Sequence, residues 1–140
     1  MESTDRIGWL AANSLDRYRP ALMYAQMSLF LFGCFFWIDA NSGGAGFKEV
    51  TWGSFAYFIP AKVWAAWNMV AAAIAIVGLK KPVKTKLVVV GAFLHCLQFS
   101  VIAYSTTFTG GEPVVGLFAS TFFLPLHMWL LIEAARRWSQ

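Results

Sequence analysis

"PALMYAQMSLFLFGCFFWI", residues 20–38, runs nineteen positions without a charge and is fenced by Arg19 and Asp39. As a helix it rises about 28 Å, close to the roughly 30 Å hydrocarbon core of a bilayer. Its opening proline suits a first helical turn, where a missing N–H is not needed. The stretch reads as a membrane span, and that reading decides the fold.

Three further apolar runs follow, at 60–79, 87–107 and 114–135. The 140 residues are 59% hydrophobic, 17% aromatic and only 13% charged, and the mean hydropathy is +0.59. Soluble domains carry about 25% charged residues and lack such intervals. The expected fold is therefore an all-α integral membrane protein, with four transmembrane helices forming an antiparallel bundle over 20–138. The formal charge of +4 does not argue for nucleic acid, because the basic residues flank apolar spans, where topology and anionic lipid account for them. Cys34 and Cys96 lie inside spans at different depths and are expected to be free thiols acting as small hydrophobes.

Ahead of the first span, Ile7, Leu10, Ala11, Leu15 and Tyr18 recur at helical spacing, and Ser3 or Thr4 could cap the start. Residues 1–19 are expected to form an amphipathic helix lying on the membrane surface. A signal peptide is disfavoured by the acidic start, the long apolar run and the lack of a small-residue cleavage site. In the first loop, Trp52, Phe55, Tyr57 and Phe58 suit a short interfacial segment, and Lys62 can snorkel from the next span. "TGGEP", 109–113, is a tight turn. Nine Lys and Arg residues lie on the N-terminal segment, the "KKPVKTK" loop and the C-terminus, against Lys48 and Lys62 on the other side. This asymmetry predicts a multi-pass protein of a bacterial inner membrane with both termini cytoplasmic.

The informative residues are polar ones inside the spans. His95 lies nine residues after Lys86, and His127 nine before Arg136 on a helix running the other way. Both rings thus sit about 13 Å from one membrane edge and could meet. Gln26, Asn68 and Gln98 are expected in the same internal layer, since polar side chains in hydrocarbon turn inward for about 0.6 to 2 kcal/mol per contact. Ala61, Ala65, Asn68, Ala72 and Ala75 share a smooth face at spacings of four and three, a helix-packing face to which Gly91 contributes from the third span. Pro125 should free the carbonyl of Thr121 and kink the fourth helix beside His127.

The plainest reading of the histidines is structural hydrogen bonding. The sharper readings are a bis-histidine b-type haem held by His95 and His127, which would make the chain a small electron-transfer protein, and a proton relay. A zinc or copper site is disfavoured, because His95, Cys96 and His127 supply at most three ligands, and neighbours on a helix point about 100° apart. Glu133 stands near Arg136 and Arg137 and can pair with them. With no nucleophile–base set, phosphate loop or deep carboxylate pair, neither a catalytic residue nor a resident cofactor or metal is expected.

From "RYRPAL" through "TGGEPVVG" to "WLLIEAARRW" the layout resembles small four-span membrane proteins of tailed bacteriophages. Such proteins have an amphipathic lead, a long first loop, a basic second loop and a tight third turn. The resemblance implies a holin-like, membrane-remodelling viral protein that acts by assembly as an oligomer. Its alternative is a non-catalytic accessory component of a larger membrane or virion assembly. Partners would be the lipid bilayer and either further copies or another membrane or virion protein. No residue role carries over from the resemblance.

Overall fold

A computed structural model of the chain describes residues 2–42, 59–108 and 113–139, with side chains for 14–42, 59–108 and 115–139. The interfacial segment expected around Trp52 to Phe58, most of "TGGEP" and the side chains of Ile7, Leu10 and Ala11 fall outside these. The regular elements among the described residues are all helical: α1 Glu2–Asn41, α2 Ala61–Leu79, α3 Thr85–Phe108, α4 Pro113–Phe118, a π-helical turn Ala119–Phe123, and α5 Leu124–Trp138. Four stretches are long and apolar enough to cross a membrane: Ser14–Asn41, Ala61–Leu79, Thr85–Phe108 and Val115–Trp138. The last is one rod made of α4, the π turn and α5.

The first helix corrects one expectation. It does not begin at Pro20 but runs unbroken from Glu2, with Pro20 inside it. Residues 14–19 do not leave the other helices to lie flat. Leu15 is fully buried in a cluster with Leu22, Leu79, Val88, Leu130 and Ala134. Beside it Ser14 donates to Glu133, and Arg137 pairs with Asp16. Glu133 is thus held by a serine across the interface rather than by the arginines of its own turn. Packing of Leu15 prevails over the tendency of proline to start a helix.

Consecutive spans contact one another, α1 with α2, α2 with α3, and α3 with α5. The buried positions of α1 include Leu22, Gln26, Leu29, Gly33 and Phe36, a stripe at spacings of four and three that makes one face. On α2, Ala65, Asn68, Ala72 and Ala75 are buried, as is Ala71, while Ala61 is partly covered at the edge of the same core. Without a hydrophobic drive between helices in lipid, contact depends on close backbone approach. A Cβ added at Gly91 on α3 would meet the backbone nitrogen of Ala75 at 2.8 Å and the carbonyl oxygen of Ala71 at 2.9 Å. On the other side, one added at Gly33 of α1 would meet Met69 Cγ at 2.7 Å and the Ala65 carbonyl oxygen at 3.3 Å. Small residues therefore let α2 take a neighbour on both flanks.

The fourth rod differs from a simple proline kink. Its irregularity is the π turn, in which the Leu124 N–H bonds to the Ala119 carbonyl five residues back. Pro125 follows in the first turn of α5. The widened turn absorbs the register change that the missing proline N–H imposes. At the end carrying the termini, α1 closes against α5. At the opposite end, α1 and the α4–π segment stand apart and leave a cleft.

Candidate functional site

Two features come together at mid-depth: a cluster of buried polar side chains and the mouth of that cleft. In the cluster, Gln26 and His127 are fully buried, with Gln26 Nε2 2.9 Å from His127 Nε2. The other ring nitrogen, Nδ1, lies 2.7 Å from the Phe123 carbonyl oxygen. A carbonyl can only accept, so Nδ1 carries the proton and donates to it, leaving Nε2 to accept from the Gln26 amide. The π turn thus presents the carbonyl that sets the tautomer of His127.

His95 is also fully buried. Its ring lies 4.5 Å from that of His127, centroid to centroid, and stacks on Phe99 at 5.6 Å. The equal depth of the two rings therefore brings them into contact. The polar neighbour of His95 is the side chain of Gln98, three residues further along α3. Asn68 and Gln98 lie about a turn further along and tie helices together through backbone: Asn68 Nδ2 donates to the Leu29 carbonyl at 2.5 Å, and Gln98 Nε2 to the Trp64 carbonyl at 3.3 Å. The five polar residues therefore form two linked steps: Gln26, His127 and His95 first, then Asn68 and Gln98.

This geometry does not fit a bis-histidine haem. Such a group needs a free nitrogen on each ring and room for a macrocycle between them. Both nitrogens of His127 are engaged, and its ring touches that of His95. Nor do the described residues hold any group of three or more His, Cys, Asp or Glu placed to share a metal ion. Cys34 and Cys96 are free thiols, and Cys34 contacts the Met69 sulfur at 3.5 Å.

The cleft has a volume of about 660 Å³ and lies between α1 and the α4–π segment, floored by α2 and α3. Its walls are almost wholly apolar and include Phe36, Trp64, Phe99 and Phe123, with Asn68 and Gln98 as buried polar groups on its floor. Phe99 and Phe123 stack at 5.0 Å. The cleft was not legible from the sequence, because each of its aromatic residues reads individually as lipid-facing or core. Gly33, also on its lining, had one available signal, a spacing of seven residues from Gln26 along the buried stripe.

No protein-family model matches the chain, and neither a curated protein nor a solved structure matches it.

Proposed function

We propose that this is a non-catalytic, phage-type protein of a bacterial inner membrane, acting by assembly in a holin-like manner. Its four apolar helices form an antiparallel transmembrane bundle with both termini cytoplasmic, as the distribution of Lys and Arg favours. The observation that carries the reading is where the buried polar groups are used. Gln26 bonds His127, Asn68 bonds the Leu29 carbonyl and Gln98 the Trp64 carbonyl, all within one protomer. Among the described residues no helix carries a continuous polar stripe to line a water path, which supports a single protomer that does not conduct. Any membrane lesion then requires many copies, meeting through their apolar outer faces rather than through Asn68 or Gln98.

A second reading, an accessory component of a larger membrane or virion assembly, is favoured by α1. Its helix extends from Ser14 back to Glu2, about 18 Å beyond the candidate span, and would serve as a docking arm on the cytoplasmic side.

Graded expression in a bacterium, with membrane potential followed by a voltage-sensitive dye, separates the two. Holin-like action predicts a lag at intact potential and then abrupt depolarisation above a threshold amount. The control is an equally abundant inert four-span protein, since overexpression alone injures membranes. Potential that tracks the control at every attainable level would sink the lytic reading and leave the accessory one.

A further inference from the structure

The end carrying the termini holds a second, open hollow of about 630 Å³, where three distant segments meet. Asp16 lines it from α1, Lys81, Pro82 and Val83 from the loop after α2, Thr85 from the first turn of α3, and Arg137 from the last turn of α5. Its sign is set by cations. Among the described residues lining it, Lys81 and Arg137 stand against one acid, Asp16, and the same end of the molecule adds Arg17, Arg19, Lys80, Lys84, Lys86 and Arg136 against Glu133. Arg137 gives Nη2 to Asp16, and a planar guanidinium with five N–H donors can hold a second anion on its remaining edge. The N-terminal end of α3 adds a partial positive charge. The depth of the hollow narrows what that anion is. Helix α2 ends at Leu79, α3 begins at Thr85 and α5 ends at Trp138, so the hollow lies at the rim of the apolar region. Trp138 is exposed, and the Lys86 ammonium stands 5.6 Å from its ring centroid. An aromatic ring and a snorkelling cation mark the headgroup level of a bilayer. Phospholipid phosphates occupy that level, and basic pockets between membrane helices suit anionic headgroups.

We propose that this hollow is a discrete site for one anionic phospholipid, its phosphodiester held by Lys81 and Arg137 and its head free of an ammonium group, as in phosphatidylglycerol. Arg137 meets the phosphate with the edge that Asp16 leaves, and Lys81 supplies a point charge from the loop. Pro82 and Val83 give an apolar wall for the glycerol backbone, and the acyl chains run into the bilayer. A choline head would set a third cation against Lys81 and Arg137, with only the already paired Asp16 to meet it. A soluble phosphate offers the same oxygens but no chains to hold it at the membrane rim. The inference rests on the chain spanning a membrane, and not on whether it is lytic or accessory.

The test is equilibrium binding of phosphatidylglycerol and phosphatidylcholine, each with a dansyl group on one acyl chain, to the full-length protein in neutral maltoside micelles. Energy transfer from tryptophan reports binding, at about 0.15 M salt, where exposed charges more than about 8 Å apart are largely screened. The wild type should bind phosphatidylglycerol saturably and about 5- to 10-fold more tightly than phosphatidylcholine, the worth of about one charge at a membrane surface. Lys81→Gln and Arg137→Gln should each weaken phosphatidylglycerol binding about 5-fold. The double variant, its hollow left with Asp16 alone, should lose the preference. Arg17→Gln removes the same charge from an exposed position at this end but outside the hollow, and should change binding less than about 2-fold. Equal affinity of the wild type for the two lipids overturns the proposal. So does a loss in Arg17→Gln as large as in Lys81→Gln, which makes the attraction diffuse rather than a site. Full displacement of the lipid by glycerol 3-phosphate also overturns it, in favour of a soluble phosphate. Should Arg137→Gln fail to fold, the wild-type comparison, Lys81→Gln at an exposed loop position and Arg17→Gln still decide.

Discussion

Replacing Gly91 by alanine tests the close approach of α2 and α3. The new Cβ would lie 2.8 Å from the Ala75 backbone nitrogen and 2.9 Å from both the Ala71 carbonyl oxygen and the Ala75 Cβ. That is about 0.6 to 0.7 Å short of the ~3.5 Å at which nonbonded heavy atoms rest. All three atoms belong to the trunk of α2, so no side-chain rotation relieves the clash and the helices must separate. Overpacking of this kind costs about 1 to 3 kcal/mol. Against it stands the helix preference of alanine over glycine, about 1 kcal/mol. Gly33→Ala is the comparison, because it receives the same helix gain while its closest contact, at 2.7 Å, is a side-chain atom, Met69 Cγ, and its backbone contact, the Ala65 carbonyl oxygen, lies further off at 3.3 Å. The propensity term cancels between the two variants, and because α2 backbone must move in one and mainly a side chain in the other, Gly91→Ala should be the less stable, by no more than about 1 to 3 kcal/mol. Reversible unfolding by SDS in mixed micelles, followed by tryptophan fluorescence, measures the gap. If Gly91→Ala equals or exceeds Gly33→Ala in stability, the backbone approach at Ala71 and Ala75 does not restrain the packing.

The Gln26–His127 bond should appear as a coupling in a double-mutant cycle. Gln26→Leu and His127→Phe each lose about 1 to 3 kcal/mol by orphaning a buried partner, and the double variant loses clearly less than their sum; strict additivity would deny the bond. At the end carrying the termini, Leu15→Ala should lose about 2 to 5 kcal/mol as a buried cavity forms. Asp16→Asn, which removes a partly exposed ion pair, should change stability by less than about 1 kcal/mol and not at all in high salt. Equally small effects of these two changes in the same unfolding assay would detach residues 14–19 from the other helices.

Much of this protein was written along the chain. Four apolar stretches, each close to a bilayer in length and charged at most near an end, required helices, because a backbone in hydrocarbon must satisfy its own hydrogen bonds. The alanine spacing around Asn68 marked a smooth face, and the matched offsets of His95 from Lys86 and of His127 from Arg136 brought the two rings to one depth. These features depend on period and distance along a single helix, which a sequence records directly. The start of α1 was misjudged for the complementary reason. Pro20 carries a local preference, while the burial of Leu15 against Leu79, Leu130 and Ala134 is a contact among distant segments, and the contact prevailed. The partner of Glu133 was likewise misplaced, since the neighbours in its own turn were visible and Ser14, 119 residues away, was not. Tertiary structure alone decided that Gln26 rather than His95 bonds His127, that a π turn supplies the carbonyl for its other nitrogen, and that α1 parts from the fourth rod to open the cleft. Each follows from how helices lean and rotate against one another. That depends on the shapes of several side chains at once, and no single residue in the sequence carries it.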